Sequence, residues 1–347
     1  MRRMGRQFLA YVVMAMLGPV LTAVAADAPY RLASRFAVGG DGGWDYLTVD
    51  APTHRLFVSR ATRVQVIDVQ TGRLITEVQG TEGVHGIALA PELGAAFTSN
   101  GRTATVTVFD LQTLKPTATV QIAGKNPDAI LYEPVSKRVF TFNGDSSDAT
   151  AIDAQSHAVV GTVVLTARPE FAVADGRGTI FVNLEAKSAI AAIDARSLKV
   201  TATWPIAPCE EPSGLAIDRE HRRLFSVCRN KLMAVVDADS GRLLTTLPIG
   251  DRVDGAAFDA KTGLAFSSNG SGTVTVVHED APERFRVVAE VATQPGARTI
   301  ALDDTTHRIY LPTAEFGQVP PPTPENPHPR PPIVPGSFVV LVLEPAP

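Results

Sequence analysis

Apolar and polar positions alternate with period two in short runs along this chain, and one six-residue apolar phrase returns seven times. Its copies begin at Asp45 (DYLTVD), His85 (HGIALA), Asp128 (DAILYE), Glu170 (EFAVAD), Ser213 (SGLAID), Asp254 (DGAAFD) and Arg298 (RTIALD). Successive starts lie 40 to 44 residues apart, a period that marks a repeat architecture. Each unit continues in the same way. The phrase predicts a strand, and a turn rich in Asp, Pro and Gly follows, as at Asp50-Ala51-Pro52-Thr53. A second strand comes next, as in Arg55-Leu56-Phe57-Val58 and Arg223-Leu224-Phe225-Ser226. A third strand ends in Asp (residues 64–68, 106–110, 233–237), and a turn such as Gln70-Thr71-Gly72 leads to a fourth. Alternation rich in β-branched residues is the strand signal, and no helical period occurs after residue 26.

Four short strands per unit, seven times over, predict an all-β fold: a seven-bladed β-propeller with four-stranded blades. The seventh unit supplies strands at 298–303, 307–312 and 338–343, and then the chain ends. Its missing fourth strand is expected from residues 31–38. The N-terminal strand then closes the ring as the outer strand of the last blade, and no open edge is left. The small residues Gly86, Ala88, Ala129, Ala172, Gly214, Ala216, Gly255, Ala256 and Ala257 suit seven strands that converge on one axis.

The repeat resembles the secreted seven-bladed propellers named for the YVTN repeat, which include the YncE-like proteins. The residues that carry the likeness are VQVIDVQTGR at 64–73 and VVDADSGR at 235–242. Blade six departs from the pattern, with His278-Glu279-Asp280-Ala281-Pro282 in place of the Asp turn, and blade seven carries an insertion. The resemblance implies an exported binding or structural module and brings no catalytic motif with it.

The first residues, Met1-Arg2-Arg3-Met4-Gly5-Arg6, are basic, residues 8–20 are apolar, and Ala23-Val24-Ala25-Ala26 follows. This layout predicts a Sec-type signal peptide over residues 1–25 and a single propeller domain over 26–347, periplasmic or secreted, with no membrane span after removal. Without Arg2, Arg3 and Arg6 the formal net charge moves from −4 to −7, which disfavours nucleic acid as a partner. A monomer is the expected state. Cys209 and Cys228 lie in no CxxC or CxxCH pattern, so neither haem nor a redox pair is expected; in an exported chain they predict one disulfide. No nucleotide cofactor is indicated.

The seven opening residues are expected to ring the top mouth of the channel. Asp45, His85, Asp128, Glu170 and Asp254 offer oxygen and imidazole ligands for one divalent ion of the Ca, Mg, Mn or Zn kind. Capping of loop amides is the alternative for the same groups. Trp44, Tyr46 and Arg298 are expected in the same pocket, with Asn100, Asn143, Asn183, Asn269, Arg229 and Glu315 at the ends of second strands and Glu211 in the loop after Cys209. Asn100, Asn143 and Asn269 each precede Gly, which is also an ordinary turn signal. At the opposite ends of the strands, Asp68, Asp110, Asp153, Asp194 and Asp237, the phrase-ending Asp50, Asp175, Asp218, Asp259 and Asp303, and His54, His221 and His307 read as turn residues.

Residues 318–336 (QVPPPTPENPHPRPPIVPG) hold nine prolines in nineteen positions, too many for strand or helix. This insertion is expected on the top face as a lid, a partner-binding arm or a solvated decoration. Together these features predict a binding module with a polar, candidate metal-binding site at the channel mouth, taking a small molecule or protein segment. A metal-dependent hydrolase, lactonase or lyase using Glu170, His85 or Asp254 is one alternative. A cell-envelope interaction scaffold is another.

Overall fold

A computed structural model describes residues 29–323, 326–327 and 329–347. The expected signal segment and Pro324, Glu325 and His328 of the insertion lie outside the described residues. Among the described residues, twenty-eight strands form seven antiparallel sheets of four, arranged as the seven blades of a ring. The innermost strands begin at Leu47, Val84, Pro127, Pro169, Pro212, Val253 and Ala301. Blade seven is completed by the N-terminal strand Tyr30–Ala37, which pairs with the last strand Val339–Pro345 from Tyr30 opposite Pro345 to Ala37 opposite Val339. The ring therefore closes as the repeat predicts.

One aromatic recurs at the third position of every second strand: Phe57, Phe97, Phe140, Phe181, Phe225, Phe266 and Tyr310, each at most 1% exposed. Each belongs to a separate apolar cluster that joins its blade to the next. The core is thus seven interfaces and not one centre, and each ring contributes about 1.5–3 kcal/mol of burial. Towards the axis the blades come too close for side chains. A Cβ on Gly214 lies 2.7 Å from the backbone of Gly255 and Ala256, and one on Gly86 lies 2.8 Å from Ile130.

The bottom-face turns are built by aspartate. Asp68 Oδ1 accepts from the amides of Gln70 and Thr71 at 2.9 and 2.8 Å, and Asp110, Asp153 and Asp237 repeat the arrangement. Two bottom-face turns, Ala51–Thr53 and Pro91–Leu93, and one on the top face, Glu185–Lys187, tighten into single 3-10 turns, too short to show as a helical period. Blade six replaces the Asp turn with a long hairpin: its third strand runs Thr273–Ala281 and its fourth Arg284–Ala292. Cys209 and Cys228 form a disulfide with Cα atoms 5.7 Å apart, which ties the loop before blade five to the end of its second strand. Among the described residues no helix is long and apolar enough to cross a membrane.

Candidate functional site

The opening residues of the phrases owe their direction to β-bulges. In blades two to six the pairing of the innermost strand slips between Val84 and Ile87, Pro127 and Ile130, Pro169 and Ala172, Pro212 and Leu215, and Val253 and Gly255. A bulged residue leaves the ladder and can be re-aimed. His85, Asp128, Glu170, Ser213 and Asp254 are the residues released; Asp45 and Arg298 precede strands that start at Leu47 and Ala301. Several of their carbonyls are then held by a neighbouring blade. Ser99 donates to the Asp128 carbonyl, Ser268 to that of Arg298, Asn183 Nδ2 to that of Ser213 at 2.7 Å, and Thr299 to that of Asp45 at 2.7 Å.

The side chains meet in one chain of contacts. His85 Nδ1 lies 2.7 Å from Asp45 Oδ2 and 3.6 Å from Asp128 Oδ1. Arg298 reaches Asp45 at 3.4 Å and Asp254 at 3.0 Å, and Ser213 donates to Asp254 Oδ1 at 2.7 Å. On the other side Arg168 stands 3.9 Å from Asp128, 3.7 Å from Glu170 and 3.4 Å from Glu185. Among the ring residues, Asp45, His85 and Asp128 bring three ligand atoms within 4.8 Å of one another. Of the five metal-ligand candidates, Glu170 and Asp254 stand apart from that trio, Asp254 because Arg298 and Ser213 hold it.

The electrostatics follow from burying four carboxylates beside few cations. Burial, and then the charge of Asp45, push the Asp128 carboxyl up to about 7. Burial, and then Asp128 and Asp254, push Glu170 up to about 8. Asp254 is raised as well, by burial above all. Burial opposes protonation of His85, but the bond to Asp45 and the nearby carboxylates outweigh it and raise its pKa. Two buried oxygens, Asp128 Oδ1 and Glu170 Oε2, have no hydrogen-bond partner among the described residues.

Below the ring Tyr46 crosses the axis from blade one to the cluster between blades three and four. Above it opens a cavity of about 880 Å³, lined by Trp44, Glu170, Asp254 and Arg298 of the mouth, Glu211 and Arg229 of blade five, and Val319, Arg330, Pro331 and Ile333 of the insertion. A second cavity of about 630 Å³ at the opposite end of the channel gathers the ends of innermost strands with Arg219 and Asp304, and no comparable cluster of side chains. Trp44 packs between Phe316 and Phe338, with ring centroids 6.1 and 5.4 Å away. The insertion bends back on itself: Gly317 donates to the Pro332 carbonyl at 2.8 Å and Val334 to that of Glu315 at 2.9 Å. It therefore forms a wall of the cavity. Arg229 and Glu211 pair at 2.7 Å on the rim, both well exposed. Glu315 is exposed and lies outside the cavity lining.

The four asparagines correct the sequence reading. All four are fully buried: Asn100, Asn143 and Asn269 bond within their own blades, and Asn183 bridges to the Ser213 and Gly214 carbonyls and Ser226 of blade five. Asn100 accepts from Thr98 and donates to Thr105 and Thr107; Asn143 and Asn269 repeat this with their own neighbours. The register of a Thr/Ser-x-Asn second strand against a polar third strand is the signal for this buried network. Arg168, Glu185, Arg252 and Arg330 belong to the site and were not singled out from the sequence. Arg168 and Arg252 stand two residues before a ring position, the slot that Glu211 also fills. In this slot Gly83, Asn126, Glu211, Arg252 and Gly296 all have positive φ, which explains its Gly and Asn members.

No family model matches the chain, and no curated protein matches it. Solved structures do. A chain of Kuenenia stuttgartiensis hydrazine synthase superposes with a TM-score of 0.69 over 85% of this chain and 95% of that one, at 17% identity. The structure titled U3-55K gives 0.74 over 92% and 98%, at 9% identity, and the WD40 repeats of RRP9 give 0.74 over 92% and 99%, also at 9%. The chain is a seven-bladed β-propeller. At these identities the likeness is one of fold.

Proposed function

We propose that this propeller is an exported binding module that holds a divalent cation at the top of its channel, beneath a cavity that takes a small molecule or a protein segment. The observation that carries the proposal is the trio Asp45, His85 and Asp128, with ligand atoms within 4.8 Å and Asp128 Oδ1 buried without a partner. An imidazole with two carboxylates suits a first-row ion such as Mn²⁺ or Zn²⁺ better than Ca²⁺, which takes six to eight oxygens. An ion here offsets the burial and the negative charge that otherwise drive Asp128 to hold a proton. The apolar shelf of Trp44, Val319 and Ile333 beside Arg229, Arg298 and Arg330 suits a ligand with an apolar body and an anionic group. Export, and kinship with the YVTN-repeat propellers, are supported by residues 1–25 and by the repeat pattern; the Cys209–Cys228 disulfide agrees with an oxidising compartment.

The test is calorimetric titration of chelator-treated protein with Mn²⁺ and Zn²⁺, for wild type and Asp128→Asn. The proposal expects at least tenfold weaker binding at one site in the variant. Equal binding by both proteins removes the ion from the mouth. Cell fractionation tests export.

One observation favours a catalytic variant of this reading. Glu170, pushed to about 8, is an acid that is largely protonated at neutral pH in the same mouth. A metal-assisted hydrolase or lyase would use it as proton donor. A lactone and ester panel on wild type and Glu170→Gln decides this, because turnover unaffected by the substitution excludes Glu170 as the donor.

A further inference from the structure

We propose a second metal site, on the bottom face at the junction of blades five and six, in which Asp218, His221 and Glu279 hold a zinc-class divalent ion. It does not depend on the mouth site.

The argument starts from what joins blades elsewhere on that face. Asp175 at the end of the innermost strand of blade four is bonded by Arg222 of blade five at 3.1 Å, and Asp259 of blade six by His307 of blade seven at 2.6 Å. Arg222 and His307 occupy the same left-handed turn position, with φ of 59° in each. Blade six has Gly263 at that position, with φ of 66°, so blade five's Asp218 receives no cation from its neighbour. The space is entered by a carboxylate instead. The lengthened third strand of blade six brings Glu279 alongside, its amide donating to the Gly263 carbonyl at 3.1 Å.

Two buried carboxylates therefore face each other, with side chains 2% (Asp218) and 7% (Glu279) exposed. Neither oxygen of Glu279 has a hydrogen-bond partner among the described residues. The nearby guanidinium of Arg223 is bound to Asp237 at 2.7 Å. His221 completes the cluster: its Nδ1 lies 2.7 Å from Asp218 Oδ2 and 3.9 Å from Glu279 Oε2. Around a tetrahedral ion with bonds near 2.0 Å, ligand atoms stand about 3.3 Å apart, and these distances bracket that value. Asp218 Oδ1 is already oriented by the amides of Glu220 and His221, at 2.9 and 3.2 Å, which leaves Oδ2 for the ion. Imidazole with two carboxylates is a donor set for zinc and its first-row neighbours. The half-exposed His221 gives the ion an entry path and leaves a position for water. Such an ion clamps blade five to blade six where the sequence lacks the arginine or histidine that bonds Asp175 and Asp259.

The test is titration of chelator-treated protein with Zn²⁺, and with Co²⁺ read by its visible absorption. The proteins are wild type, Glu279→Gln, His221→Ala and, for the mouth, His85→Ala. The expected result is one site weakened at least tenfold in Glu279→Gln and in His221→Ala, with the Co²⁺ band of that site lost, and the same site intact in His85→Ala. His221 is half-exposed, so its variant keeps the fold even if Glu279→Gln does not, and its titration alone then decides. Zn²⁺ binding unchanged in His221→Ala, or binding abolished by His85→Ala alone, overturns the assignment.

Discussion

Tyr46 of blade one packs against Phe171 of blade four across the axis of the ring, with ring centroids 5.1 Å apart. This contact floors the channel mouth and separates the polar ring above from the lower cavity. Truncating Tyr46 to Ala removes a buried aromatic from a place that cannot collapse, because seven blades hold it open. The expected loss is about 3–5 kcal/mol, and calorimetry should show a clearly lower unfolding temperature. Tyr46→Phe keeps the packing and should unfold close to wild type.

The raised carboxyls at the mouth set an unusual pH dependence. Asp128 and Glu170 titrate near 7 and 8 in the folded protein, far above the value of about 4 in an unfolded chain. Between those limits the folded state binds more protons, so their contribution to stability is present in acid and is lost as pH rises through 7 and 8. This is the reverse of a paired carboxylate. Without divalent ions, urea midpoints should fall from pH 5 to pH 8, and the fall should flatten in Asp128→Asn. Apparent Mn²⁺ affinity should rise over the same range, because the ion competes with these protons.

The buried asparagines are structural, which makes a separable prediction. Asn100→Ala leaves Thr98 without its partner, while Thr105 keeps Thr103 and Thr107 keeps the Gly80 carbonyl. One unsatisfied buried hydroxyl costs about 1–3 kcal/mol, so the unfolding temperature should drop by a few degrees. Metal and ligand titrations at the mouth should be unchanged. A selective loss of binding with intact stability would return Asn100 to the site.

What the sequence made legible, and what it hid, divides along one physical line. Blade number, strand order and closure by Tyr30–Ala37 follow from a period and an alternation, which are local properties. The ring of Asp45, His85, Asp128, Glu170, Ser213, Asp254 and Arg298 could be placed because each residue opens the same phrase. Its wiring could not, because bulges between Pro127 and Ile130 or Val253 and Gly255 leave no mark in an alternation pattern. The asparagines were placed at the mouth because each ends a second strand, while strand register points the side chains of Asn100, Asn143 and Asn269 into the blade. Asp218 and His221 read as turn residues, and Glu279 only as a departure from the repeat, because the missing partner at Gly263 shows only when blades five and six are set side by side.

The disulfide can be separated from the mouth. Cys209 and Cys228 are 19 residues apart, and closing a loop of this length is worth about 3 kcal/mol in the chain-entropy account. Cys209→Ser with Cys228→Ser should therefore unfold several degrees lower. Reductant should bring wild type to the same temperature and leave the double variant unmoved. The loop it ties carries Glu211, so ligand affinity should weaken modestly, while Mn²⁺ affinity at the Asp45–His85–Asp128 trio should hold.

The proline-rich insertion gives the sharpest test of the cavity. Residues 319–335 supply Val319, Arg330, Pro331 and Ile333 to its wall, yet the strands on either side, Arg308–Thr313 and Val339–Pro345, pair without them. Deleting 319–335 should leave the far-UV circular dichroism unchanged and the unfolding temperature within a few degrees of wild type. Trp44 should report the change directly. It is one of only two tryptophans, and the deletion frees its neighbour Phe316 from the bridge to Ile333. Its emission should shift to the red as water reaches the indole. Ligands that bind above the ring should lose at least tenfold in affinity, while Mn²⁺ binding at the trio beneath should persist. Loss of folding would mean that the insertion belongs to the core of blade seven, and unchanged ligand affinity would mean that it is no part of the site.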